Sequence, residues 1–283
     1  MAGDKRDEGT TRDSHFARRR RAYRDAKSAS GRGKTRPSSD KARPSAPDRV
    51  LLYGLHTVKA AIENPKRSIR RMLVTRNALA RLNLEDPHSL SFPVEEVSPK
   101  AIDKLLAHDA VHQGVVLETK PLKPLPISAL SDCRLVVVLD QITDPHNVGA
   151  ILRSSVAFGA GAVIMTSRHR AQESGVLAKA ASGALELISL IQVNNLAEAI
   201  NELGALAFTT IGLDSDGDRR LEDAFSGQRI ALVLGAEGKG LRHKTRQTVN
   251  IVARLDMPGA IPSLNVSNAA AVSLYAARSY LDL

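Results

Sequence analysis

Leu135-Val136-Val137-Val138-Leu139, followed by Asp140-Gln141-Ile142-Thr143-Asp144-Pro145-His146-Asn147-Val148-Gly149-Ala150-Ile151-Leu152-Arg153, is the stretch on which the fold turns. Five consecutive aliphatic residues leave no polar face, so the strand they form must be covered on both sides, as in a parallel sheet. Asp144 then supplies a side-chain oxygen to cap a helix, and Pro145 sits where its missing N–H costs nothing. Val148, Ile151, Leu152 and Val156 recur at helical spacing, and Gly159 stops the run. Strand, capped turn and helix in that order are the unit of an α/β protein.

The alternation continues toward the C-terminus. Strands are predicted at 162–165, 188–193, 207–211, 230–234 and 251–255, with a helix after the first of these to about 184 and others at 196–203 and 266–280. With 135–139 this makes six strands in an open parallel sheet carrying crossover helices on both faces. Toward the N-terminus lies a smaller α/β unit over 49–119. A short apolar strand or turn is predicted at 50–54, strands at 69–74, 93–97 and 115–117, and helices at 56–62, 78–84 and 98–106, with Ser98 as the N-cap of the last. Between the two units, 120–130 contains Lys120-Pro121-Leu122-Lys123-Pro124-Leu125-Pro126, which reads as a stiff, extended linker.

The chain has 283 residues, a formal charge of +10 and a pI near 9.9. Residues 1–48 hold fourteen Lys and Arg, including Arg18 to Arg21, against seven Asp and Glu, and so carry +7 of that excess. This stretch is poor in aliphatic residues and is expected to be a disordered basic arm. Such a balance favours a polyanionic partner, nucleic acid first. A single cysteine, Cys133, excludes an internal disulfide framework, and the eight histidines show no metal-ligand spacing, so no metal is expected. Apolar runs as short as 135–139 and 230–234 cannot span a bilayer, and residues 1–48 lack a signal peptide's apolar core. A soluble cytoplasmic protein without a membrane partner is expected.

Ligands of open α/β sheets bind beyond the carboxyl ends of the strands, and three loops there stand out. The first carries Asn147 in an opening helical turn and Arg153 in an otherwise apolar helix; such an arginine either meets an anion or is simply solvated. The second is Leu234-Gly235-Ala236-Glu237-Gly238-Lys239-Gly240-Leu241, whose three glycines in six positions expose backbone to a ligand. It lacks the Lys-Ser/Thr ending of a phosphate-binding loop and the spacing of a dinucleotide fingerprint. The third, Ser263-Leu264-Asn265-Val266-Ser267-Asn268, brings more hydroxyl and amide groups into a helix start than capping uses.

Together these loops resemble the three motifs of the SpoU (TrmH) family of RNA 2′-O-ribose methyltransferases, in order and mutual spacing. The resemblance covers 131–283. The segment from Leu52-Tyr53-Gly54 to His112-Gln113-Gly114-Val115-Val116 looks like the substrate-binding domain of its two-domain members, most similar to the subgroup acting on a guanosine ribose of 23S ribosomal RNA. The resemblance implies a SPOUT-type parallel sheet with a C-terminal trefoil knot, S-adenosylmethionine as cofactor, and a homodimer. It further implies cofactor contacts from Gly235, Leu255 and Leu264, and a catalytic set of Asn147, Arg153, Glu237, Ser263 and Asn265. Arg153 is expected to face the ribose across the dimer. One departure is Leu255-Asp256, where relatives commonly carry Ile-Pro before the third motif.

Methyl transfer to a hydroxyl needs the oxygen in line with the methyl group and its proton shared or removed. A guanidinium holds its proton at ordinary pH, so Arg153 is suited to stabilising an alkoxide or an adjacent phosphate. Gly235 is expected to let a ligand approach the backbone, so that a larger residue would block the cofactor. Two further readings stand beside rRNA methylation: the same chemistry on tRNA, and a non-catalytic RNA-binding or ribosome-assembly factor. Residues 49–119 favour rRNA over tRNA, and the five-residue site set argues against a binding protein. Cys133 is read as a small buried residue, His146 and Lys239 as loop residues able to touch RNA, and Asp214, Asp216 and Asp218 as a flexible loop near the cofactor pocket.

Overall fold

The computed structural model describes residues 49–283 except 85, 169, 170 and 262, and the side chain of His88. The arm expected over 1–48 lies outside the described residues.

Two sheets form. The smaller joins β1 (Val50–Tyr53), β2 (Ile69–Val74), β3 (Val94–Glu96) and β4 (Val115–Thr119) in the order β1-β4-β2-β3, antiparallel except for the β2–β3 pair. Helices α1 (Leu55–Glu63), α2 (Arg76–Leu82) and α3 (Pro99–Asp103) accompany it. The larger sheet is wholly parallel. It contains β5 (Leu135–Asp140), β6 (Ala162–Thr166), β7 (Ser189–Val193), β8 (Thr209–Leu213), β9 (Arg219–Arg220), β10 (Ile230–Gly235) and β11 (Ile251–Arg254), ordered β7-β6-β5-β10-β8-β11-β9.

Its connections are α4 (Pro145–Ala157), α5 (Gly175–Ala181), α6 (Ala184–Leu187), α7 (Leu196–Ala205), α8 (Leu221–Ala224), α9 (His243–Thr248) and α10 (Val266–Leu281). All six residues of β5 are buried. Leu135, Val137 and Leu139 join a core with Val148, Ile151 and Leu274, while Val136 and Val138 join a second core with Leu196, Ile200 and Leu203. Period-2 alternation thus feeds two apolar faces, the cause of the unbroken aliphatic run.

After β5 the chain proceeds outward through β6 to β7, then returns to the other side of β5. The order therefore reverses between β5 and β10, where Gly235 registers with Asp140. The first two motif loops leave the sheet from these adjacent strand ends, at the position where doubly wound sheets bind ligands. On α4, Asp144 caps as expected, accepting from the N–H groups of His146 and Asn147. Gly149 is required by packing: a Cβ there would lie 2.5 Å from that of Ala180 and 2.7 Å from the Leu177 carbonyl oxygen. Backbone approach at Gly149 is thus to α5.

Several expectations are corrected. The large sheet has seven strands rather than six, because β9 is two exposed residues with no hydrophobic period. The helix expected to about 184 breaks into α5 and α6 at Ser182 and Gly183, with φ of 50° and 94°. Helix α3 ends at Asp103 instead of 106, and Ser98 makes no side-chain capping bond. Two short helices, α8 and α9, were not foreseen.

The proline-rich segment is extended but docked. Lys120 N donates to Ser68 O (2.9 Å), Leu122 N to Glu173 Oε2 (2.9 Å) and Leu125 N to Leu190 O (2.9 Å). Beside it, Arg67, whose side chain is 0% exposed, joins the small sheet to the large one. Its Nε donates to Glu186 Oε2 (3.0 Å), Nη2 to Glu186 Oε1, and Nη1 to Glu173 Oε1 and Lys120 O. Asn64 Nδ2 also donates to Glu186. Nearby, Thr57 Oγ1 donates to Ala178 O on α5, and Lys179 Nζ to Gln113 Oε1.

Candidate functional site

A cleft of about 590 Å³ opens beyond the carboxyl ends of β8, β10 and β11. Leu213, Leu234, Leu241, Leu255, Leu264 and Val266 form much of its wall, with Asp214, Ser215, Asp216 and Glu237 among the polar groups. That volume and mixture suit a small organic ligand. Gly235, Leu255 and Leu264, 29 residues apart in sequence from first to last, all border it, as do Glu237 and Ser263.

At its edge the three motifs meet on one carboxylate. Glu237 Oε1 accepts from Asn147 Nδ2 (3.2 Å), Asn265 Nδ2 (2.5 Å) and Val266 N (3.3 Å). Asn265 Nδ2 also donates to Asn147 Oδ1 (3.1 Å). Asn265 Oδ1 in turn caps α10, accepting from Ser267 N (2.9 Å) and Ser267 Oγ (2.6 Å). The carboxylate lies at the N-terminus of α10, where aligned peptide dipoles favour negative charge. Glu237, Asn147 and Asn265 therefore act first as a clasp that holds three loops together.

Other ties stiffen the same region. Asp140, 1% exposed at the end of β5, accepts from the backbone N–H (3.1 Å) and Nε (2.5 Å) of Arg242. A buried carboxylate needs such a partner, and hydrogen bonds to charged groups are worth about 1.5–3 kcal/mol. Asp214 Oδ2 meets Arg246 Nη1 at 2.8 Å, and Arg246 Nη2 donates to Asp216 O. The Asp214–Asp216 loop lines the cleft as expected, but it is pinned by α9. Sequence reading missed Asp140, Arg242 and Arg246; a lone acid ending an otherwise apolar strand was the available signal for the first.

Arg153 is not brought to the cleft of its own chain. It lies on the exposed face of α4, and its side chain has no hydrogen-bond or ion-pair partner among the described residues. His146 and Lys239 are exposed. Cys133 is half-buried rather than buried, and burial raises its thiol above the ordinary range, which leaves it a poor nucleophile.

The chain itself supplies a reason for glycine at 235. A Cβ there would lie 2.2 Å from Gly240 C and 2.5 Å from Leu241 N. The space is filled by the protein's own returning loop, closed by the Gly240 N to Ala236 O bond (2.9 Å). Gly235→Ala is expected to push the 235–241 loop outward, cost about 1–3 kcal/mol of stability by overpacking, and weaken ligand binding through a displaced cleft wall. Calorimetry of S-adenosylmethionine binding beside thermal melting checks this; unchanged binding and melting would contradict the steric account.

A parallel α/β sheet with a cleft beyond the carboxyl ends of β8, β10 and β11 defines the class. Family models match twice: the SpoU rRNA methylase family over residues 134–275, and the RNA 2′-O ribose methyltransferase substrate-binding family over 51–125. Among curated proteins, the 23S rRNA (guanosine-2′-O-)-methyltransferase RlmB of Vibrio vulnificus is 33% identical over 236 residues, covering 80% of this chain and 95% of that protein. The RlmB of Pasteurella multocida is 35% identical over 234 residues, covering 79% and 95%. Among solved structures, the SpoU methyltransferase AviRb from Streptomyces viridochromogenes, in complex with AdoMet, superposes with a TM-score of 0.70 at 22% identity, covering 82% of this chain and 90% of that one. The chain belongs to the SpoU rRNA methylase family.

Proposed function

We propose that this protein transfers a methyl group from S-adenosylmethionine to the 2′-hydroxyl of a guanosine ribose in 23S ribosomal RNA, in the cytoplasm. The observation that carries the reading is the single Glu237 oxygen on which Asn147, Asn265 and the start of α10 converge beside the cleft. RlmB-named relatives at 33–35% identity support the choice of 23S rRNA over tRNA.

The cleft residues fit the cofactor: aliphatic walls suit an adenine and a methionine chain, and carboxylates suit a cationic sulfonium. When bound, the cofactor supplies a methyl group on a good leaving group. Gly235, Leu255 and Leu264 would contact it, largely through backbone. Glu237 and Asn147 order the loops, while Ser263 and Asn265 shape the side on which the ribose enters. Arg153, whose side chain has no partner among the described residues, would neutralise the developing alkoxide or a flanking phosphate from the partner subunit.

The homodimer this requires is supported by the outward face of α10, where Val272 and Tyr275 are 49% and 58% exposed. A soluble monomer gains nothing from such a face. The C-terminal trefoil knot belongs to the same proposal. The path supporting it runs from β11, whose edge carries the 214–220 segment, back to α10 packed against α4 and β10. On this reading 49–119 grips RNA, 120–130 connects, 131–283 is the knotted catalytic unit, and no metal takes part.

The test is to incubate the protein with labelled S-adenosylmethionine and total RNA, then map ribose methylation. One guanosine of 23S rRNA is the expected product; label confined to tRNA, or no label at all, would overturn the proposal.

A further inference from the structure

The sequence marks 120–126 as a linker, yet its charge serves no purpose in a spacer. Where it lies against β7, a groove of about 580 Å³ opens, rimmed by Lys66, Lys120 and Lys123 and floored by Leu122, Leu125 and Leu190. All three lysines are exposed, and none of their ammonium groups makes an ion pair among the described residues. The acid lining the groove, Glu186, is already spent on Arg67 and Asn64. Several arginines elsewhere in the chain are paired: Arg71 with Glu118 and Glu95, Arg242 with Asp140, Arg246 with Asp214.

Resting on the reading of the substrate as ribosomal RNA, we propose that this groove is a second RNA contact, holding phosphodiester backbone away from the target ribose. Lysines are compact point charges suited to phosphate. The groove lining includes no aromatic side chain on which a base would stack, so the contact is to backbone and insensitive to sequence. An extended peptide is disfavoured as occupant: it would need the free edge of β7, and Leu125 already bridges Ile191 there with its N–H on Leu190 O.

The three hydrogen bonds pinning 120–125, together with its prolines, present Lys120 and Lys123 without the ordering cost of a mobile loop. The groove lies at the amino end of β7, opposite the cleft and three strands from β10, about 14 Å across at ~4.8 Å per strand. RNA held there would span the molecule from one sheet end to the other.

The experiment compares the wild-type chain with Lys66→Gln/Lys120→Gln/Lys123→Gln and with the matching Lys→Arg triple variant. The probe is in vitro transcribed 23S rRNA, with salt varied between about 0.05 and 0.2 M. The Gln variant should lose about 10-fold or more in affinity, and its slope of log K against log salt should fall by about 2–3, near one phosphate per lysine. The Arg variant should keep both. Cofactor binding and melting temperature should not move, since the substituted side chains are solvent-exposed.

A Gln variant with unchanged affinity and slope overturns the proposal and leaves the groove to a protein partner. If the wild-type slope drops in the variant but neither protein labels a ribose, the methyltransferase reading fails while the groove stands.

Discussion

Arg153→Ala is expected to cut turnover by about 10²- to 10³-fold, the usual loss when one donor to a developing oxyanion is removed. Affinity for S-adenosylmethionine should stay within a few-fold, because Arg153 does not line the cleft of its own chain. Single-turnover methylation of 23S rRNA with parallel calorimetry separates the two effects, and near-normal kcat would refute the role. The subunit origin of the arginine is open to a sharper measurement. A hybrid dimer pairing an Arg153→Ala chain with a Gly235→Ala chain has one intact cleft facing an intact arginine only if the arginine crosses the interface. Full activity of one working site is then expected, whereas an arginine acting within its own chain leaves one site without its arginine and the other with a weakened cleft, so that activity at limiting S-adenosylmethionine falls well below one site's worth.

Arg67→Ala is expected to destabilise the protein by about 3–5 kcal/mol, the range for removing one partner of a buried ion pair. The substitution would strand Glu186, whose side chain is 1% exposed, and Glu173 at 10%, with no cation between them. Burial acts against the Arg67 charge, but hydrogen bonds and attraction from Glu186 and Glu173 outweigh it and raise its proton affinity, so the guanidinium stays ionised. Urea unfolding measures the loss, and a change below about 1 kcal/mol would contradict the assignment. Replacing Arg67, Glu173 and Glu186 together by aliphatic residues should restore much of the stability, since the cost lies in the unpaired charges. The small sheet would also lose its anchorage on α5 and α6, so limited proteolysis in the 120–130 segment should accelerate in Arg67→Ala.

Residues whose chemistry is unusual for their place in the chain could be recognised without coordinates. Polar and glycine residues at strand ends stand out because local structure does not need so many of them: Asn147 after a cap already made by Asp144, Glu237 among three glycines, Asn265 between Ser263 and Ser267. For Gly235 the structure adds a second reason beside the expected cofactor approach. A glycine announces a close approach but not what approaches, and here the neighbour is the backbone of Gly240 and Leu241. The two-residue β9 gave no signal, since both arginines are exposed and its pairing with β11 is wholly main-chain.

In Asn64-Pro65-Lys66-Arg67-Ser68, nothing distinguishes the arginine that is sealed among two glutamates from the lysine beside it that points to solvent. Periodicity and capping report on each residue's own helix or strand, so they were sufficient for the α/β class and the parallel sheet, whereas the joining of the three loops into one site rested on the resemblance to the SpoU family. Partnership between side chains 90 or 118 positions apart, as between Asn147 and Glu237 or Asn265, depends on which strand ends the topology sets side by side. That adjacency comes from the reversal of strand order between β5 and β10, a long-range packing outcome with no local trace in the chain.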